Sequence, residues 1–167
     1  LAICFLHSYG SPEHERAVGA MAREEFEFVS LSADILPELR EYERTATAVV
    51  DAYVKPLVSR YLSKLTKSLE ALSSGVQLQV MQSNGGMVSA ATAAATPVGI
   101  IESGPAAGVI AAAEASKAIG AENLITLDMG GTTAKSSVIE GGKIAASAEY
   151  EVGGELNQAS RLIKGGG

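Results

Sequence analysis

The first third of the chain shows a strand, helix and strand pattern of apolar and polar positions. Ala2–Leu6 and Phe28–Ser32 are short apolar runs of the kind that form buried strands. Between them, Ser11 and Pro12 predict a helix start, with the serine as N-cap and the proline at the first helical position. The apolar face of this helix is predicted to comprise Val18, Met21 and Ala22. We therefore expect a βαβ unit whose two strands run parallel.

A long helix is predicted from Thr45 to about Leu72, because apolar residues recur there at helical spacing. Pro56 lies inside it, where proline costs about 3 kcal/mol, so we expect a kink near Ala52 or a break into two helices. The preceding charged stretch, residues 34–44, is predicted to be a solvated loop or helix start. The apolar face, expected to lie in the core, comprises Ala46, Val49, Val50, Tyr53, Leu57, Tyr61, Leu65, Leu69 and Leu72.

Two loops that follow are candidates for ligand binding. Val76–Val80 alternates like a half-buried strand and leads into Ser83-Asn84-Gly85-Gly86, which is either a plain turn or a loop lining a cleft. A short alanine-rich helix capped by Ser89 ends at Pro97, and residues 98–101 are predicted to be strand or extended chain.

Glu102-Ser103-Gly104-Pro105 is the second of these segments. It precedes a helix predicted over Ala106–Ala118 and closed by Gly120. The free N–H groups at the helix start, with the Ser103 hydroxyl, can bind an anion. An ordinary capped helix is the alternative.

The most informative segment is Leu124–Ile139, in which an apolar strand leads into an acid, Asp128, and a glycine turn. Gly130 and Gly131 allow close approach of main-chain N–H groups to phosphate, and Thr132 and Thr133 add hydroxyl donors. Residues 136–139 read as a strand, whereas a P-loop or Rossmann turn would open a helix. With a hairpin at residues 140–143 and a third strand over 144–150, a three-stranded meander is predicted.

Three motifs together resemble the hydantoinase/oxoprolinase family, in particular its N-methylhydantoinase A type subunits. They are Met-Gln-Ser-Asn-Gly-Gly-Met at 81–87, Glu-Ser-Gly-Pro-Ala-Ala-Gly-Val at 102–109 and Asp-Met-Gly-Gly-Thr-Thr-Ala-Lys at 128–135. The resemblance implies an α/β fold: a mixed sheet with flanking helices, part of a ribonuclease-H-like half-domain of the actin, Hsp70 and sugar-kinase type. We expect two parts, residues 1–75 and 76–167, both within one larger parent. Family members are several times longer, so we read the chain as an internal segment.

The resemblance also implies a nucleotide site with ATP and Mg²⁺ as cofactors. Asp128 would be the catalytic acid and hold the hydrated metal, and the remaining site residues would bind the phosphates. Many relatives carry a second acid where this chain has Lys135, so that lysine would instead neutralise phosphate charge or pair with Asp128. The phosphate-binding residues expected from the family are Gly130, Gly131, Thr132, Thr133, Lys135, Asn84, Gly85, Gly86, Ser103 and Gly104.

The implied reaction is ATP-dependent ring opening of a cyclic amide such as a hydantoin or 5-oxoproline. Some family members carboxylate ketones instead, and a second subunit of the hydantoinase B type is the expected partner. Two other hypotheses stay open from the residues: a catalytically inert structural or subunit-contact segment, and a sugar-kinase-like phosphotransferase. For the isolated chain we expect no activity.

Composition narrows the function classes. The net charge of −6 and pI near 5.0 argue against binding to nucleic acid or to an anionic membrane. A single cysteine, Cys4, excludes an internal disulfide, and we expect it to lie in the core. His7 and His14 are expected to be structural, and the localisation to be cytoplasmic.

Overall fold

The computed structural model describes residues 1–131, 134–144, 149–150 and 163–164. Its helices are α1 Glu13–Ala22, α2 Ser32–Ile35, α3 Glu41–Leu72, α4 Ala90–Ala95 and α5 Ser103–Ile119, with a 3-10 helix at Pro97–Ile100. Its strands are β1 Ala2–Ile3, β2 Ser30–Leu31, β3 Gln79–Met81, β4 Met87–Ser89, β5 Leu124–Met129, β6 Ala134–Glu140, β7 Lys143–Ile144, β8 Glu149–Tyr150 and β9 Ile163–Lys164.

The N-terminal βαβ unit is confirmed. β1 and β2 pair in parallel on either side of α1 in the chain, and the apolar cluster there is formed by Ile3, Val29 and Leu31. Gly19 is buried in α1, and a Cβ atom on it would lie only 2.8 Å from the Cδ1 atom of Leu31. The absence of a side chain at Gly19 therefore lets α1 pack directly onto β2.

Two details of α1 differ from the sequence prediction. Pro12, not Ser11, is the N-cap, and the Ser11 hydroxyl donates to Glu13 Oε2 at 2.8 Å. The predicted apolar face is also wrong at Val18 and Met21, which are 39% and 69% exposed, whereas Ala22 packs against the apolar cluster as predicted. The helix instead buries Glu15 and Gly19, because its interior neighbour is a polar cluster.

The long helix α3 is continuous from Glu41 to Leu72, with Pro56 inside it. The predicted end is confirmed and the predicted break into two helices is wrong, while a kink near Ala52 stays a prediction. Its expected core face is largely exposed, with Tyr53 at 84% and Leu57 at 75%. The buried positions of α3 are mostly polar or small: Arg44, Thr47, Ala48, Asp51, Lys55 and Leu62.

Asp51 explains why the polar side of α3 faces inward. Its Oδ2 accepts a hydrogen bond from Ser30 Oγ at 2.6 Å, and its Oδ1 accepts one from Val98 N at 3.1 Å. Lys55 Nζ lies 3.0 Å from the same carboxylate. A buried carboxylate needs such partners, and they connect α3 to β2 and to the 3-10 helix.

The middle of the chain is a hairpin followed by short helices. β3 and β4 pair antiparallel around residues 82–86, and Ser89 Oγ caps α4 by accepting from Thr92 N at 3.1 Å, as predicted. Pro97–Ile100 forms a 3-10 helix, so the extended chain predicted for residues 98–101 is wrong. Helix α5 ends at Gly120 with φ of 67°, the left-handed cap predicted from the sequence.

The order β5-β6-β7 confirms a three-stranded meander, whose third strand covers only Lys143–Ile144. Glu149–Tyr150, predicted to belong to that strand, instead pairs with β9 in a separate sheet. Residues 145–148 of the predicted third strand lie outside the described residues. The described strands form four separate small sheets, so the single mixed sheet expected from the sequence is wrong, although the mixed α/β character holds.

Among the described residues, no helix has both the length and the apolar composition of a membrane-spanning segment.

Candidate functional site

The three motifs picked out in the sequence meet at one place in the fold. Asp128 on β5 lies directly opposite Lys135 on β6 in the antiparallel register. Residues directly opposite on a sheet project to the same face, so a carboxylate and an ammonium group share this end of the meander.

Glu102 joins the α5 motif to the meander. The Glu102 carboxylate forms an ion pair with Lys135 Nζ, and Glu102 is the N-cap of α5. The backbone N of Glu102 in turn donates to Ser83 Oγ at 3.2 Å. Ser83 is 8% exposed and is also held by Gly99, whose carbonyl accepts from Ser83 N at 2.8 Å. A continuous series of contacts therefore runs from the β3–β4 hairpin through α5 to the glycine turn.

A cavity of about 400 Å³ lies between α5 and the meander at this point. Small residues of α5 form one wall, and the polar side of β5 and β6 forms the other. This volume falls within the usual range for small-molecule sites, roughly 300–1,000 Å³. The lining residues that matter for the site are Pro105, Gly108, Ala112, Thr126, Asp128 and Lys135.

A groove of about 730 Å³ lies along the C-terminal half of α3, where Phe28, Arg60, Lys64 and Lys67 are among its lining residues. It is larger than the cavity beside Asp128. Its lysine and arginine side chains are exposed, and no motif residue lines it. We therefore place the candidate site at the smaller cavity, which residues of two motifs line and to which Glu102 connects the third.

The glycines differ in what they can offer a ligand. Gly131 and Gly104 have open space where a Cβ would stand, so a ligand can approach the main chain at both. Gly85 has φ of 85°, and a Cβ there would lie 2.7 Å from Ile110 Cδ1. Asn84 Oδ1 accepts from Gly86 N at 2.9 Å, as in a tight turn. The hairpin thus packs on α5 through Gly85.

The remaining predicted site residues are placed as follows. Ser103 and Gly104 form the first turn of α5, and Gly130 and Gly131 follow β5. Thr132 and Thr133 lie outside the described residues. Glu102 and Ser83 were not among the predicted ligands, although both stand within the motifs, because a sequence does not reveal which side chain reaches across to another element.

The side chains at the site suit a metal ion that is coordinated mainly by a bound phosphate and water. Within the described part of the chain, no group of three or more His, Cys, Asp or Glu side chains is placed to hold a metal ion. Asp128 supplies one exposed carboxylate. Mg²⁺ is commonly bound by one or two carboxylates together with substrate phosphates and water, so Asp128 fits that kind of site.

A second polar cluster, around Glu15 and Arg44, is structural. Both side chains are fully buried, with Arg44 Nη2 3.8 Å from Glu15 Oε2. Glu15 also accepts from Phe5 N at 2.7 Å and from Ala33 N at 2.8 Å. Burial raises the pKa of Glu15, but hydrogen bonds from Ser8, Ala33, Phe5 and Ser32 outweigh it and hold the pKa below its ordinary value. The loop or helix start predicted for residues 34–44 is confirmed as a helix start at Glu41, but its predicted solvation is wrong at Arg44.

The cysteine and the histidines carry no site among the described residues. Cys4 is half-buried rather than in the core, and its Sγ accepts from Thr45 Oγ1 at 3.1 Å. His7 packs edge-to-face on Tyr9, with ring centroids 4.7 Å apart.

Comparisons with known proteins identify a family and several relatives of this chain. The family model described as Hydantoinase/oxoprolinase matches residues 44–164. An uncharacterized protein of Methanocaldococcus jannaschii is 46% identical over all of this chain, which spans 25% of that protein. The caprolactamase subunit alpha of Pseudomonas jessenii is 34% identical, again over all of this chain and 25% of the relative.

Two solved structures are also similar to this chain. A nucleotide-free acetone carboxylase, from a study of ATP-dependent acetone carboxylation, superposes with a TM-score of 0.77 at 32% identity. The match covers 86% of this chain and 21% of that one. The ATP-dependent caprolactamase superposes with a TM-score of 0.68 over 78% of this chain and 19% of that one. The chain thus spans about a quarter of the length of the curated relatives reported above.

Proposed function

The chain belongs to the hydantoinase/oxoprolinase family, and we propose that it supplies a nucleotide phosphate-binding loop to an ATP-dependent hydrolase that opens cyclic amides. The observation that carries this proposal is that contacts join the three motifs, from Ser83 through Glu102 to Lys135, beside a cavity lined by Lys135 and Asp128. The ATP dependence named for the caprolactamase and acetone carboxylase structures supports a nucleotide as the ligand.

Each residue at the cavity has a role that its position supports. Asp128 would hold the hydrated Mg²⁺ that accompanies the nucleotide. The open main chain at Gly131 would donate N–H groups to phosphate oxygens, as would the first turn of α5 at Ser103 and Gly104. Lys135 would set the positive charge at the edge of the site. Asn84, Gly85 and Gly86 would form the adjoining wall.

The chemistry that such a site serves is activation of an amide. An amide carbonyl is a poor electrophile, and transfer of the γ-phosphoryl group of ATP to its oxygen, with ADP as the leaving group, would make the carbonyl carbon susceptible to attack by water. The C–N bond would then break to give an amine and an acyl phosphate, and a second water would hydrolyse the acyl phosphate to carboxylate and phosphate. The acceptor would be a cyclic amide of the hydantoin, 5-oxoproline or lactam kind. The relative named as a caprolactamase supports this class.

Nucleotide binding tests the proposal directly. We expect a full-length protein containing this chain to bind Mg·ATP by calorimetry, and Asp128→Ala to weaken binding by about tenfold or more, equivalent to about 1.4 kcal/mol. Asp34→Ala is the matched control, because Asp34 is an exposed acid whose partner is Arg16, away from the motifs. Binding by Asp128→Ala equal to wild type would remove Asp128 from the nucleotide site.

A second candidate reaction is ATP-dependent carboxylation of a ketone. The acetone carboxylase structure has a higher TM-score with this chain than the caprolactamase structure does. The two reactions are separated by the co-substrate that stimulates ATP hydrolysis. Stimulation by hydantoin, 5-oxoproline or caprolactam supports the hydrolase, whereas stimulation that requires both a ketone and bicarbonate supports the carboxylase.

A partner subunit of the hydantoinase B type is part of the proposal. The caprolactamase relative is named as a subunit alpha and an acetone carboxylase relative as a beta subunit. The competing hypothesis is an inert segment that only packs within its parent protein. ATP binding that is unchanged by any substitution at Asp128 or Lys135 would favour that structural role.

A further inference from the structure

Glu102 is held at both its backbone and its side chain. Its backbone N donates to the buried Ser83 Oγ at 3.2 Å, and its carboxylate pairs with Lys135. The two paired side chains are 26% and 35% exposed, so solvent screens the pair only in part. The carboxylate therefore has a defined place beside the candidate nucleotide site.

In that place the carboxylate pairs with the Lys135 ammonium. Glu102 is also the N-cap of the 17-residue helix α5, but its side chain makes no capping hydrogen bond there. The N–H groups of the first turn of α5 therefore stay available to an anion. The acid thus neutralises the lysine and not the helix N-terminus.

The charges at this end of the meander consequently do not favour a bare polyphosphate. Among the described residues named at this site, Asp128 and Glu102 contribute two negative charges and Lys135 one positive charge, a net charge of −1 for these three. Like charges at close range disfavour binding, and the effect is larger where water is partly excluded. A nucleotide that carries a divalent cation meets the two carboxylates with opposite charge.

We infer that Glu102 determines the form of nucleotide that the site accepts: by neutralising Lys135, it makes binding depend on a divalent cation. The inference rests on the proposed function, namely that this cavity binds ATP. Glu102 acts through Lys135 and is in this respect a specificity-determining residue, not a catalytic one. Removing its charge should leave the Lys135 ammonium without this neutralising carboxylate, so that it attracts the phosphates of metal-free ATP more strongly.

Calorimetry with and without metal tests this inference. The full-length protein is titrated with ATP in EDTA and with ATP in saturating Mg²⁺. The readout is the ratio of dissociation constants, namely the value in EDTA divided by the value in Mg²⁺. We expect Glu102→Gln to reduce that ratio by about tenfold relative to wild type. The matched control is Glu114→Gln, which breaks an exposed ion pair with Lys117 on the same helix and should keep the wild-type ratio.

Two further variants connect the effect to Lys135 and guard against misfolding. Glu102→Asn keeps a side chain that is favoured at an N-cap and should reduce the ratio like Glu102→Gln. The double variant Glu102→Gln with Lys135→Gln should lose the gain in metal-free binding. Thermal unfolding of each variant identifies any that lose the fold.

The outcomes separate this inference from the proposed function. If wild type binds Mg·ATP but Glu102→Gln and Glu102→Asn keep the wild-type ratio, Glu102 only ties α5 to β6 and the inference is wrong. If either folded variant binds metal-free ATP more weakly than wild type, the sign is wrong and the inference fails. If wild type binds ATP in neither condition, the proposed function fails and the inference with it.

Discussion

Arg44 is the residue with the most unusual environment in the described part of the chain. Its side chain is fully buried and pairs with Glu41 at 2.6 Å and Glu15 at 3.8 Å. It also donates to Phe5 O at 3.3 Å and to Ser8 Oγ and Ser32 Oγ. Its guanidinium carbon lies 5.5 Å from the centre of the Tyr9 ring. One arginine thus joins α3 to the segments on both sides of α1.

Truncation of Arg44 should destabilise the protein strongly. We expect Arg44→Ala to lower the free energy of unfolding by about 3–5 kcal/mol, because the Glu15 carboxylate would stay buried without its counter-ion. Arg16→Ala is the matched control, since Arg16 pairs with Asp34 at 2.9 Å in an exposed ion pair that contributes at most about 1 kcal/mol. Urea unfolding measures both. Equal losses of unfolding free energy in the two variants would show that the buried interactions of Arg44 contribute no more than an exposed ion pair.

At the scale of single residues, the sequence predicted which positions carry chemistry better than which ones are buried. Asp128 and Lys135 were identified from the motif, and the structure places them opposite each other. Arg44 was predicted to be solvated, because a charge-dense stretch is usually exposed. Its burial depends on Glu15, a residue on another helix, and local sequence does not reveal that pairing.

Helix α3 is the element whose amphipathic pattern is inverted. Its 32 residues span about 48 Å, and its polar residues Asp51 and Lys55 are buried while its apolar stripe is exposed. The exposed members of that stripe are Val49, Tyr53, Leu57, Tyr61 and Leu72, which are 52%, 84%, 75%, 62% and 83% exposed.

Two leucines on α3 give a direct test of this orientation. Leu57 belongs to the regular stripe but is 75% exposed, whereas Leu62 is 4% exposed. We expect Leu62→Ala to cost about 2–5 kcal/mol of unfolding free energy and Leu57→Ala to change it by no more than about 0.5 kcal/mol. Urea unfolding of the two variants side by side is the measurement. A larger loss for Leu57→Ala would mean that the stripe, not the polar face, is the packed side.

The apolar repeat therefore predicted the end of α3 at Leu72 but not which face of the helix is buried. The end at Leu72 follows from the loss of the apolar repeat, and the end of α5 at Gly120 follows from the left-handed cap. These are local properties. The face that is buried depends on what packs against it, and Ser30 and Val98, which bind Asp51, lie on elements distant in sequence.

For the molecule as a whole, pairings between neighbouring strands were predictable and the division into sheets was not. The meander and the parallel pair of β1 and β2 follow from short connections and from the βαβ rule. The expectation of one sheet required the N-terminal pair and the meander to meet. They form separate sheets among the described strands. The sequence did not predict this separation, because no local pattern determines the contacts between strands that are remote in the chain.

Acid stability of the whole protein should depend on Glu15. Its lowered pKa means that the unfolded chain binds a proton on this group more readily than the folded protein does. The stabilisation is therefore present above the unfolded pKa of about 4.3 and is lost as pH falls through the lower folded pKa. We expect Glu15→Gln to show a smaller decrease in unfolding free energy than wild type below about pH 4.5. Parallel curves for the two proteins in urea titrations would contradict this assignment.

The buried acid on α3 also fixes how the helix is turned about its own axis. Apolar contacts tolerate small rotations, whereas the hydrogen bonds from Ser30 and Val98 to Asp51 are directional. A rotation by one residue, about 100°, would leave Asp51 without these partners. The rotation of α3 about its axis is thus set from its inner side, so Tyr53 and Leu57 project outward in one fixed direction.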